Sequence, residues 1–146
     1  MTLFALSLFA LAHVPGSAET LASPAIAFEQ ELTSITVSVD GKQIATYVYA
    51  DEEIPRPYFK GLRTLDGVQV TRHHPPMENE PQDHATYHPG LWMAFGDVSG
   101  ADFWRNKSVV RHMAFLQEPQ IDNTGVRFSV LNHYFNGDKA ILRERC

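Results

Sequence analysis

Beyond about residue 20 the apolar positions of this chain recur every second residue rather than every 3.6, which is the periodicity of half-buried strands. Ile35, Val37 and Val39 alternate with Thr36 and Ser38, and Asp40-Gly41 follows at once. That pair suits a two-residue hairpin loop because both residues tolerate positive φ. Residues 42–49, rich in β-branched and aromatic side chains, then predict the returning strand. Ile54-Pro55-Arg56-Pro57-Tyr58-Phe59 reads as extended, since each proline fixes its own φ and disfavours helix in the residue before it. A third strand is expected over residues 67–72, a buried strand over 91–95, and further strands over 108–116, 126–135 and 139–145. In 126–135, Val126, Phe128, Val130 and Tyr134 fall on one face and Arg127, Ser129, Leu131, His133 and Phe135 on the other. Asn136-Gly137 is a second hairpin signal.

No helical period survives past the N-terminal stretch. Many short strands joined by Gly, Asn and Asp turns predict an all-β, antiparallel β-sandwich. Residues 73–90 break the pattern with a polar, proline-rich stretch. A loop that long in a compact domain is usually functional.

The first residues differ from the rest. Residues 3–12 are apolar and uncharged, and Pro15-Gly16 and Ser17-Ala18 follow. This is the pattern of a secretory signal cleaved after Ala18, although no Lys or Arg precedes it, and the apolar run is too short to span a bilayer. Residues 1–18 are therefore expected to be a signal peptide and 19–146 a single β-rich domain, exported to the periplasm or beyond. No second long apolar segment predicts a membrane span in the mature chain. The chain stops within a strand-like segment, so the domain is expected to be incomplete at its C-terminus.

The net charge of -5 argues against nucleic acid as a partner, because phosphate-backbone binding needs clustered Lys and Arg. Arg105-Asn106-Lys107 is too short to supply such a cluster. The single cysteine, Cys146, cannot form an internal disulfide, so stability rests on burial of the aromatic side chains.

Six of the seven histidines follow residue 72. Asp83-His84 with His88 forms the sharpest group. If a short helical turn starts at Pro81, the two imidazoles share a face and could hold a divalent metal, with Asp83, His112 or His133 as a third ligand. Ala85 stands where a zincin needs its glutamate. The metal-free reading makes one histidine a general acid/base oriented by Asp83, and the plainest reading leaves both as structural loop residues. Asp97 and Asp102 form a candidate carboxylate pair across a cleft, or else bond turn amides. Trp92 and Trp104 are candidates for stacking on a sugar, and Arg56 and Arg72 for contacting its substituents.

Several ordered blocks carry a family resemblance: Arg56-Pro57-Tyr58-Phe59; Gly67 to Arg72 with Pro75; Asp83-His84 through His88-Pro89-Gly90-Leu91-Trp92; and Phe95-Gly96-Asp97-Val98-Ser99-Gly100-Ala101-Asp102-Phe103-Trp104. Over roughly residues 45–145 the chain resembles the bacterial exported family labelled "methane oxygenase PmoA", otherwise a domain of unknown function and distinct from the membrane methane monooxygenase subunit. Many members carry Asp-His-Pro-His-His where this chain has Asp83-His84-Ala85-Thr86-Tyr87-His88, one histidine fewer. The resemblance implies a large sandwich similar to those of sugar mutarotases and related carbohydrate-active proteins. Three functions follow as expectations: an enzyme or accessory protein acting on carbohydrate, with His84, His88 and Asp97 or Asp102 at work; a metal-dependent oxygenase, as the family label states; or a non-catalytic module, either structural or binding a glycan or other small ligand.

Overall fold

The computed structural model describes residues 23–146, so the expected export segment lies outside the described residues. Among the described residues seven strands form two antiparallel sheets: β1 (Ile26–Gln30), β2 (Ser34–Val39), β3 (Lys42–Val48) and β4 (Tyr58–Lys60) in one, and β5 (Val109–Asp122), β6 (Gly125–Asn136) and β7 (Lys139–Arg145) in the other. Each sheet keeps its strands in chain order, β1-β2-β3-β4 and β5-β6-β7. The architecture is that of a β-sandwich, as the period-two pattern predicts. Among the described residues no helix is long and apolar enough to cross a membrane.

Local chemistry accounts for the hairpins. Asp40 and Gly41 both have positive φ, 50° and 74°, and the ladder closes with Val39 opposite Lys42. The second expected hairpin turn is displaced by one residue. Asn136 pairs with Lys139, which leaves Gly137-Asp138 as the loop, with positive φ at Gly137. A glycine in the first central position suits a type II′ turn, so the glycine rather than the asparagine sets the register.

Three expectations need correction. Residues 67–72 join no sheet and form only a bridge between Arg63 and Gln69, with Val68 and Val70 59% and 61% exposed. Their alternation lacks a neighbouring strand to bury it. Residues 91–95 are not a buried strand either. Leu91 bridges Phe59 at the open edge of β4, and Leu91, Met93 and Phe95 remain exposed while Trp92 packs against the cluster around Ile54 and Tyr58. Finally, β5 runs to Asp122 rather than Leu116. Register shifts between His112 and Gln120 break its alternation and leave Pro119, which has no N–H to donate, without a ladder partner. Strand β1 was not expected from the sequence, its Ile26 and Phe28 being too brief a pattern to stand out.

The inner faces of the sheets meet through aromatic contacts. Tyr47 lies 5.1 Å from Phe128, and Tyr49 stands edge-on to Phe115 at 5.3 Å (ring centroids). Val130 and Tyr134 are buried on the face assigned to them from sequence, and Asn132 joins them by donating to Glu144. The core is divided into three clusters around Phe103 and Tyr134, Ile35 and Tyr47, and Ile54 and Tyr58. An apolar cleft of about 430 Å³ between the sheets is lined by side chains from all three.

Asp51 stitches the third cluster to the chain before β4. Its carboxylate accepts from the amides of Glu53 and Ile54 and from the Tyr58 hydroxyl, at 2.7 to 3.0 Å. Burial pushes its carboxyl upward, but the bonds from Ile54, Tyr58 and Glu53 outweigh that and hold it below the usual carboxylate value. A carboxylate depressed on folding contributes stability that is present above its unfolded pKa and is lost as pH falls through the folded value. Asp51→Asn is therefore expected to lower the melting temperature by a few degrees near pH 7. The loss should shrink on acidification below the usual carboxylate range, as the wild-type carboxylate itself takes up a proton. A pH-independent difference in calorimetry would refute this role.

Candidate functional site

The loops at one end of the sandwich are organised by a single side chain. The 54–59 segment, expected to be extended, instead bends at Pro55 and Arg56, where the Arg56 amide donates to the Ile54 carbonyl at 2.8 Å, and the Pro55 carbonyl accepts from the Val110 amide of β5 at 2.8 Å. Arg56 is only 4% exposed. Its Nη1 donates to the carbonyl of Phe103 at 2.8 Å and more distantly to that of Trp104, and its Nη2 donates to the carbonyl of Tyr87 at 2.8 Å. Its guanidinium carbon stacks 3.9 Å above the Trp92 ring. Burial lowers its pKa to about 10, which leaves it cationic at neutral pH. Arg56 thus joins the histidine loop, the segment after it and the turn bearing Trp104.

Two further donors restrain the histidine loop. Arg72 donates to the carbonyls of Asp83 and Pro81, and Asn106 Nδ2 to the carbonyl of Thr86. Inside the loop, the amides of Tyr87 and His88 both donate to the His84 carbonyl at 3.0 Å, closing a single turn. His84 starts that turn with φ of 53°, an uncommon conformation for a side-chain-bearing residue. The turn brings the His84 and His88 rings to 5.8 Å between centroids, as the sequence spacing suggests. His84 Nδ1 lies 3.0 Å from Asp83 Oδ2, but both side chains are well exposed, so the pair adds little stability.

The two aspartates hold turns. Asp97 accepts from the Gly100 amide at 2.8 Å. Asp102 accepts from the amides of Trp104 and Arg105 and from the Arg105 guanidinium, each near 3.0 Å. The bond from the Arg105 amide, above all, keeps the Asp102 carboxyl below its usual range. Their clearest work is to present Trp104 and Arg105. The tryptophans differ. Trp92 is covered, with Arg56 on it and Trp104 5.0 Å away, whereas Trp104 remains 46% exposed.

Together these restraints form an open hollow of about 370 Å³ lined by His84, Tyr87, His88, Trp104, Arg105 and Lys107. Neither Asp97 nor Asp102 lines it, and Arg56 and Arg72 direct their guanidinium groups to main-chain carbonyls. The other described histidines lie elsewhere. His112 packs against Tyr49 and Phe115, His133 is beside Phe135, His74 is edge-on to Tyr58, and His73 bonds Glu80. Among the described residues no group of three His, Cys, Asp or Glu side chains is placed to hold a metal ion. Tyr87, Arg105 and Lys107 line the hollow without having stood out as candidates; their signal in the sequence is a pair of cations directly after an aromatic, Trp104-Arg105-Asn106-Lys107.

With this geometry in place, comparison with known proteins assigns the family. Residues 34–146 match a family of unknown function, DUF6807. The chain belongs to that family. Its matched span holds all of β2 to β7 and every residue of the hollow. No curated protein and no solved structure matches the chain.

Proposed function

We propose that this DUF6807 chain binds carbohydrate in the hollow beneath the histidine loop. The observation that carries this reading is the exposure of two aromatic rings, Trp104 at 46% and Tyr87 at 37%, around a concave surface otherwise lined by hydrogen-bonding and cationic groups. A sugar has an apolar C–H face that stacks on an aromatic ring and a hydroxyl rim that needs donors and acceptors, so both halves of the hollow have a use. The His84–Asp83 contact supplies an acid/base group with an oriented ring at the same place, which makes turnover of the bound glycan the natural extension. The apolar N-terminal pattern of residues 3–18 supports export of that activity from the cytoplasm.

A metal-dependent oxygenase, the activity suggested by the label of the resembling family, is the second reading and rests on the paired imidazoles alone. Among the described residues no third His, Cys, Asp or Glu is placed to join them, and a pair alone falls short of the three protein ligands of a catalytic zinc centre.

A glycan array followed by calorimetry on the best ligand tests the proposal. Trp104→Ala is expected to weaken binding about ten-fold, in keeping with the loss of one aromatic platform. His84→Ala and His88→Ala separate the enzyme from the module: lost turnover with retained binding marks an enzyme, and absent turnover in the wild type marks a binding module. If the wild-type protein binds no glycan, or Trp104→Ala binds as well as wild type, the proposal fails.

A further inference from the structure

A second hollow, apart from the histidine loop, lies where β3 begins, β4 ends and residues 61–77 fold back over them. It encloses about 490 Å³. The Arg63 amide donates to the Ile44 carbonyl at 2.9 Å, so the chain leaving β4 continues along the start of β3. Lys42, from the start of β3, thereby lines one cavity with Lys60 and Arg63, and His73 and His74 line it too.

The charge pattern of this cavity runs against that of the molecule. The chain has 17 Asp and Glu against 12 Lys and Arg, yet no carboxylate lines the hollow. None of its three cations forms a salt bridge among the described residues, and the Arg63 guanidinium makes only a long 3.4 Å contact with the Gly67 carbonyl. The nearby acids are engaged or set aside. Glu80 is bonded to His73 and the Met77 amide, and Asp66 to Thr64 while lying within the field of Lys42. On the other side, burial first and the charge of Lys60 in addition keep His74 below its ordinary value, against the opposing pull of Asp51 and Glu53. Unpaired cations gathered around a concavity repel one another, and an anion relieves that repulsion.

We propose that this hollow is a separate binding site for an oxyanion ester, a small polar molecule carrying a phosphate or a sulfate group. Lys42, Lys60 and Arg63 take the anionic oxygens through charge-assisted hydrogen bonds. The volume exceeds that of a free inorganic anion and leaves room for the organic part, against which Pro75 and Met77 stand.

The test is calorimetry on the whole chain with inorganic phosphate, inorganic sulfate, glucose 6-phosphate and glucose, each against sodium chloride of equal ionic strength. Saturable binding of glucose 6-phosphate, at least ten-fold tighter than glucose, is expected. The tighter of phosphate and sulfate then identifies the ester class. Lys60→Met and Arg63→Met should each weaken binding about ten-fold, the loss typical of one charged hydrogen bond, while Arg63→Lys retains most of it. Circular dichroism confirms that each variant is folded. Trp104→Ala should leave this binding unchanged, so failure here and failure at the carbohydrate hollow are told apart. Heats no greater than those with sodium chloride, or wild-type affinity in the Lys60→Met, Arg63→Met double variant, would overturn the proposal.

Discussion

Gly90→Ala is expected to leave little folded protein at 37 °C. A Cβ on residue 90 would fall 2.0 Å from the Phe59 carbonyl oxygen and about 3.1 Å from its carbon, and both are backbone atoms that no rotamer change can move. The same oxygen accepts from the Leu91 amide at 2.8 Å, and the Phe59 amide returns a bond to the Leu91 carbonyl at 2.7 Å. Relieving the clash therefore breaks the bridge that ties residues 91–95 to β4 and displaces buried Pro89 and the partly buried Trp92. A loss of about 4 kcal/mol or more is in keeping with a backbone clash coupled to lost core packing. That is a large share of the roughly 5–15 kcal/mol by which a domain is stable. Gly96→Ala is the control, since its added Cβ would meet nothing within 4 Å and its φ is not positive. Urea denaturation should show it within about 0.5 kcal/mol of wild type. Equal stability of the two variants would falsify the close-approach argument.

Arg56→Met carries the second large effect. Methionine keeps much of the apolar stem but leaves the carbonyls of Phe103 and Tyr87 without their donor and removes the cation from the Trp92 face. Hydrogen bonds from a charged donor contribute about 1.5–3 kcal/mol each, and removal of the buried charge itself returns part of that sum. The net loss is expected near 3 kcal/mol. The sign of the ionisation effect supports the offset. Burial depresses the guanidinium to about 10, so folding disfavours the charged form relative to water, and this offsets part of what the carbonyl bonds contribute. Arg56→Lys should not rescue, because one ammonium cannot reach carbonyls on two separate loops while stacking on a ring. Hydrogen exchange gives the more specific readout: amides of residues 84–88 and 103–108 should lose protection while the β2–β3 hairpin keeps it. Loss spread evenly over both regions, or a variant within 1 kcal/mol of wild type, would show that Arg56 is not the organiser of the site.

Much of the strand layout was legible in the chain. Asp40-Gly41 names its hairpin through φ preferences that belong to those two residues, and Val130 and Tyr134 announce a buried face through simple alternation. The failures lie where a pattern needed a neighbour. Residues 67–72 and 91–95 have strand-like composition, but whether a strand forms depends on another edge being free beside it. In β5, bulges around Pro119 erase the alternation that the eye follows.

The candidate site divides in the same way. The Asp83 to Gly90 segment stands out by composition, and its i, i+4 histidines do share one turn, because that spacing is a local property of the backbone. The roles of Arg56, Trp92 and Trp104 are not local. Arg56 has the same residue type whether it greets a ligand or bonds three carbonyls, and only the approach of residues 87, 92, 103 and 104 makes it the latter. The two tryptophans are equivalent in sequence, yet one is covered by that guanidinium and the other is left open. The convergence of Lys42, Lys60 and Arg63 follows from strand pairing between β3 and β4. The sequence by itself determined the extended segments, the tight turns and the polar loop, since these follow from φ preferences and period-two patterning within a few residues. The tertiary structure alone decided which charged and aromatic side chains are buried as supports and which are left open on a concave surface, because burial and partner choice depend on residues tens of positions away.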